Sequence, residues 1–192
     1  EFWKVRYSAA KALGKLGTAA EPALPILRDV LVAGTVTRNL AAAAMARIGD
    51  IGGAHLRELV LYQNMPNTQV RIAAAYGLRN MPLTSESVDY AVRDMFVAGK
   101  DPMPLVRCVV LESLALLGAA SDDMIPYLTA KSLVPFLFTF LNDDAADVRR
   151  KAAHALADYG PQGELLLIEG VLKDPHPRVR SAAAYGLGIL GA

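Results

Sequence analysis

Six times along the chain an arginine is followed by small or apolar residues at +3, +4, +7 and +10, usually with glycine at +11. The copies read KVRYSAAKALGKLG, VTRNLAAAAMARIG, QVRIAAAYGLRNM, LVRCVVLESLALLG, DVRRKAAHALADYG and RVRSAAAYGLGILG. Their anchors are Arg6, Arg38, Arg71, Arg107, Arg149 and Arg180, at spacings of 32, 33, 36, 42 and 31 residues. Those offsets mark one face of an α-helix and its C-terminal stop. Self-similarity at this period is the mark of a stacked repeat array, in which each unit buries its apolar face against its neighbours.

Second apolar segments lie between the copies: EPALPILRDVLV, GAHLRELVLYQ, SVDYAVRDMFVA, LVPFLFTFLN and GELLLIEGVLK. Turn signals such as NMPN, KDPMP, NDDAAD and KDPHP bound them. The unit is therefore helix A, a turn, helix B and a second turn. Asp101, Asp143 and Asp174 each stand six residues before an arginine, and Pro102 and Pro175 follow two of them. Paired alanines at +3 and +4 let neighbouring helix backbones approach closely. With 53% hydrophobic residues but one Trp and five Phe, the composition suits packed helices better than a β-sandwich.

The Asp-Pro turn, the Val-Arg pair, the paired alanines and the closing Leu-Gly together resemble the HEAT-repeat family over essentially the whole chain. The resemblance implies an all-α, right-handed α-solenoid of antiparallel helix pairs, with helix B lining the concave surface. The expected organisation is one array over 1–192: a half-unit at 1–19, then units at about 20–50, 51–83, 84–120, 121–160 and 161–192. Thr37-Arg38 departs from the Val-Arg pair, Pro82 replaces a closing glycine, and ASDDMIPYLTAKS lengthens the fourth interval by an extra turn or short helix. A first copy holding helix B without helix A leads to the expectation of a fragment of a longer solenoid.

Several strings invite a chemical reading. Gly186, Gly188 and Gly191 spell G-x-G-x-x-G, yet a dinucleotide site needs a strand before the glycines and a helix after them. Here Gly186 and Gly188 fall inside helix B, where small residues in the same columns fit packing against the next helix. The arginine column with Asp101, Asp143 and Asp174 reads as a structural ladder tying unit to unit, because a ladder repeats with the unit whereas a ligand site does not. His55, His154 and His176 fall in different units without metal-ligand spacing. The deoxyhypusine hydroxylases resemble the chain at repeat level but carry iron-binding His-Glu dipeptides, which this sequence lacks. An enzyme of the HEAT-like hydroxylase or lyase kind would need a metal or chromophore site; no catalytic, metal or cofactor residue is assigned. Cys108 reads as a small, partly buried hydrophobe. NDDAAD lacks calcium-loop spacing, and no G-x-S-x-G elbow occurs. EFWKVRY resembles the opening of tubulin-binding TOG domains, which would put Trp3 and Lys4 on a partner-facing turn.

With +3, +4, +7 and +10 turned inward, the +1, +5 and +9 columns form the outward stripe of helix B. The expected partner-binding residues are Lys11, Lys15, Arg47, Ile72, Tyr76, Asn80, Glu112, Leu116, Arg150, His154, Tyr185 and Ile189. Aromatic anchors among mixed polar residues typify protein interfaces. The leading expectation is a non-enzymatic scaffold or adaptor holding a protein partner along this face, with a TOG-like tubulin-binding array as the alternative. A formal net charge of +1 disfavours a general nucleic-acid binder. The longest apolar run, SLVPFLFTFL, is half a membrane span. A single cysteine suits a reducing compartment, which points to the cytoplasm.

Overall fold

The computed structural model describes residues 2–34, 37–61, 63–83, 87–121, 129–160, 163, 167 and 171–190; of Phe2, Ile189 and Leu190 only the backbone is described. Helices alternate with short turns, and no strand occurs among the described residues. They are α1 (Phe2–Leu16), α2 (Leu24–Ala33), α3 (Arg38–Ile48), α4 (Asp50–Val60), α5 (Thr68–Leu78), α6 (Val88–Ala98), α7 (Pro104–Ser121), α8 (Ala130–Thr139), α9 (Ala146–Ala157) and α10 (Pro177–Leu190). Each arginine copy is a helix B: α1, α3, α5, α7, α9 and α10. The fold is an all-α solenoid of stacked helix pairs. The helix A expected over 163–173 lies mostly outside the described residues.

Local chemistry accounts for the boundaries. Asn67 caps α5, its side chain accepting from the Gln69 and Val70 amides at 3.0 and 3.4 Å. Prolines open α7 and α10, where an amide would have no partner. The +11 glycines Gly17, Gly49 and Gly160 sit at φ +58°, +115° and +58°, a region that favours glycine; Gly17 and Gly49 directly follow the ends of α1 and α3, whereas α9 already stops at Ala157. Gly118 does not follow the rule. It lies inside α7, which runs through Ala119 and Ala120 to Ser121, because good helix formers rather than a turn follow it. Of the expected insertion ASDDMIPYLTAKS, residues 122–128 lie outside the described residues, and Thr129 to Ser132 cap and open α8. The segment expected to open as helix A begins instead as a 3-10 turn over Gly17–Ala23, and only then becomes α2, with Pro25 in its first turn.

The chain divides into two compact units, Glu1–Ser113 and Leu114–Ala192. In the first, α1, α3 and α5 pack side by side as one layer and α4 packs on α6 in the other; α2 and α4 join the layers. In the second, α9 packs on α10, and α8 on α9. Leu31, Met45, Leu56, Leu59, Leu78 and Met95 are fully buried in the first core, and each such side chain stabilises by roughly 1.5–3 kcal/mol. The alanines between them contribute less area, but they set the spacing of the layer. α7 is long and apolar enough to cross a bilayer by length and composition. Half of it is buried inside the fold, and Arg107 and Glu112 lie within it, so packing accounts for its apolarity.

The buried stripe of helix B is wider than the expected +3/+4/+7/+10. Position −1 (Val70, Val106, Val148, Val179) and position +6 (Ala44, Ser113, Ala155) are buried as well. The end helices show which column faces which way. In α1, Ala9 at +3 is exposed and Ala10 at +4 buried; in α10, Ala183 at +3 is buried and Ala184 at +4 exposed. Position +3 therefore faces the preceding copy and +4 the following one.

Candidate protein-binding face

The arginine column is built as a repeating joint. Arg71 Nη1 donates to the Met65 and Pro66 carbonyls of its own turn, at 2.8 and 2.7 Å. Its Nε and Nη2 grip Asp101 of the next turn at 2.7 and 3.0 Å, and both side chains are essentially inaccessible. In the second unit Arg149 repeats the arrangement: Nη1 to the Asp143 and Asp144 carbonyls, Nε and Nη2 to Asp174 at 2.7 and 3.0 Å. The same aspartate then orders its own turn, Asp101 Oδ1 accepting from Met103 N and Asp174 Oδ1 from His176 N, each at 2.8 Å. Asp143 Oδ1 does so with Ala145 N at 2.9 Å. The hydrogen bond from Arg149 outweighs burial and holds the Asp174 carboxyl below its ordinary range, and the same bond raises Arg149.

This geometry corrects the expected pairing in one respect. The carbonyl partners come from the arginine's own turn, and the carboxylate partner from the turn of the following unit. Arg107 and Arg180 donate to the carbonyls at −6 and −5 of their own turns, and Arg38 to Leu31 and Val32 O. Arg6 makes no such bond among the described residues and is exposed.

The glycine columns also resolve. A Cβ at Gly77 would lie 2.9 Å from Ala42 Cβ and O, and one at Gly186 2.8 Å from Ala157 Cβ. Position +6 therefore packs on the preceding helix, not the next one. Gly188 meets nothing within 4 Å.

The outward columns divide between two clefts, one in each unit. In the first, Tyr7, Lys11, Arg47, Tyr76 and Asn80 surround a cleft of about 230 Å³ floored by Leu40, Ala43 and Ala44. The Arg79 guanidinium stacks on Tyr76 at 3.9 Å and donates to Glu112 at 3.2 Å, which fixes the ring. Asn80 bonds back to the Tyr76 carbonyl. Lys15 is exposed beside the cleft, and Ile72 is half-buried. In the second, Arg150, His154, Arg178, Ser181 and Tyr185 line an open cleft. His154 meets the edge of Tyr185 with ring centroids 6.1 Å apart, and Tyr185 is 64% exposed. Burial, helped by Arg150 and Lys151 and opposed by Asp158, lowers the His154 pKa, so the ring is neutral at pH 7.

Leu116 is exposed on α7 and Cys108 is buried. The Ile189 side chain lies outside the described residues. Trp3 and Lys4 do not form a turn contact: both lie within α1, with Lys4 Nζ 5.9 Å from the Trp3 ring. Trp3 occupies the −3 column, which is already helical in α5, α7, α9 and α10. The tubulin reading thereby loses the turn that carried it.

What the sequence stripe did not reveal is the segregation of charge. Helices α1, α3 and α5 contain Lys4, Arg6, Lys11, Lys15, Arg38, Arg47 and Arg71 and no acidic residue. The A helices of the same unit mix signs and pair them from one A helix to the next. Arg28 reaches Glu58 at 3.1 Å and His55 Nδ1 at 3.0 Å, and Arg57 reaches Asp94 at 2.6 Å. The signal was present, but only sorting the charges by layer exposes it.

Among the described residues no group of three His, Cys, Asp or Glu side chains could hold a metal ion. A family model described as HEAT repeats matches residues 134–192, and one described as PBS lyase HEAT-like repeat matches residues 5–32. No curated protein matches the chain. Human deoxyhypusine hydroxylase in complex with glycerol is similar in structure, with a TM-score of 0.55 at 20% identity over 96% of this chain and 78% of that one. The His-Glu dipeptides expected of such a hydroxylase do not occur in the sequence. An engineered protein gives 0.54 at 19% identity over 98% and 91% of the two chains. A second engineered protein gives 0.54 at 20% identity over 95% and 53%. At these identities the likeness shows the fold alone.

Proposed function

Since the chain belongs to the HEAT-repeat family, we propose that it is a non-enzymatic scaffold that holds a protein partner on the concave, helix-B face. A HEAT array is a repeat scaffold usable for protein binding; the choice of face is our own reading. One observation carries it. The same outward columns present aromatic and cationic side chains in both units, Tyr7, Lys11, Arg47 and Tyr76 in one and Arg150, His154 and Tyr185 in the other. Lys11 and Arg47 have no ion-pair partner among the described residues. A purely solvated face has no need of tyrosines at recurring positions, and tyrosine with arginine is the composition of interface anchors. Cys108, buried and the single cysteine, supports a reducing, cytoplasmic setting.

The test is an affinity pull-down from cell lysate with the parent chain beside Tyr76→Ala/Tyr185→Ala. Circular dichroism establishes that the variant retains its helicity. Proteins retained by the parent and lost by the variant are the expected result. Identical retention by both would remove the outward stripe as the binding surface.

A further inference from the structure

We propose that the cleft of the first unit receives an acidic peptide segment, its carboxylates meeting Lys11, Lys15 and Arg47 and an apolar side chain entering between Tyr7 and Tyr76. This inference deepens the scaffold reading and rests on it. The first ground is charge. No carboxylate stands anywhere on α1, α3 or α5, and the nearest acid on the next helix B, Glu112, is already taken by Arg79. On the opposite layer the cations of α2 and α4 are neutralised from within, through Glu58 and Asp94. The first unit pairs Arg28 and Arg57 within one layer, and on the other leaves Lys11, Lys15 and Arg47 without an ion-pair partner among the described residues. A partner bringing carboxylates restores the balance.

The second ground is shape. Gly14 has no side chain where a Cβ would stand 3.5 Å from Arg47 Cδ and 3.4 Å from Ala44 Cα. The Arg47 stem thus lies across α1 and brings its guanidinium to the same cleft as Lys11. The cleft floor is Leu40, Ala43 and Ala44, its walls are Tyr7 and Tyr76, and its volume of about 230 Å³ holds one apolar side chain. Apolar floor, aromatic walls and cationic rim together fit a peptide better than a nucleic-acid backbone. A phosphate strand would call for cations in a row and would leave the apolar floor unused.

The probe is a fluorescein-labelled peptide of six glutamates around a central leucine, titrated by fluorescence anisotropy at low and at physiological salt. The parent should bind saturably, more weakly at the higher salt. Lys11→Glu/Arg47→Glu should weaken binding at least tenfold. Arg93→Glu/Lys100→Glu, which changes net charge equally on the opposite layer, should alter it less than threefold. Equal loss in both pairs, or tighter binding of an oligothymidylate of matched charge, overturns the proposal. If the peptide fails to bind while Tyr76→Ala/Tyr185→Ala still strips proteins from the pull-down, the acidic-segment inference falls and the scaffold reading stands. If both experiments fail, both fall.

Discussion

Arg71 spends its whole guanidinium on protein partners: two carbonyls of its own turn and both oxygens of Asp101. Neither member of the pair touches solvent. Removing one leaves an uncompensated charge inside the core, which costs about 3–5 kcal/mol. Arg71→Ala should therefore lower the urea midpoint sharply. Arg6→Ala, in the same column but exposed, should shift stability by no more than about 0.5 kcal/mol. Comparable shifts would mean that the pairing is not what holds the turns. The Asp174 rung adds a pH dependence. Its carboxyl titrates below the ordinary value of 3.8 in the folded state because Arg149 binds the charged form. Its contribution is complete above that value and is lost as the pH falls through the depressed folded value. Asp174→Asn should be less stable at neutral pH and show a flatter stability profile below about pH 4 than the parent, as read by equilibrium denaturation.

Between helices, packing turns on whether a methyl has room. Gly77 sits against Ala42 and Leu56, where an added Cβ would come within 2.9 Å of all three nearest atoms. Gly77→Ala should cost about 1–3 kcal/mol by overpacking. Gly188, also inside a helix, faces open space, so Gly188→Ala should stabilise by about 0.5–1 kcal/mol through helix propensity alone. Thermal denaturation of the two variants should move in opposite directions, and parallel shifts would contradict the assigned facings. Helix B was legible in the sequence because its arginine anchors six copies of one helical period, and that period survives translation into structure. The 3-10 turn at Gly17–Ala23 was not, since proline at 22 and 25 permits either a late helix start or a tight turn. The continuation past Gly118 was hidden for a related reason: glycine stops a helix only when the following residues favour leaving it. The partner of Asp101 lies 30 residues upstream. Periodicity could name the two columns but not which copy each reaches toward.

At the scale of the molecule, protection should follow how many faces of each helix B are covered. α3 and α5 bury alanines toward both neighbours, whereas Ala10 is the buried residue among those described in α1. Hydrogen exchange should be slowest in α3 and α5 and fastest in α1, since local opening costs least where the fewest contacts break. Uniform exchange across these helices would indicate one cooperative block in the first unit instead. The outward face of the same helices was only half legible. The +1/+5/+9 stripe placed Tyr7, Lys11, Arg47 and Tyr76 together, but the absence of acids from α1, α3 and α5 emerges only when residues are sorted by layer.

Each rung of the ladder has a socket on one unit and a plug on the next, the guanidinium with its carbonyls in one turn and the carboxylate in the turn after. A segment that begins at such an aspartate and ends before the following one carries one of each. Tandem duplication of such a segment would therefore generate a joint identical to the existing ones, and lengthening the array would require no new recognition surface. The interval opening at Asp143 has this property, with Arg149 inside it and Asp174 beyond it. The intervals opening at Val32 and Met65 do not, because neither residue supplies the carboxylate of the plug. Growth by copying is thus open to the later part of the chain and closed to the earlier part.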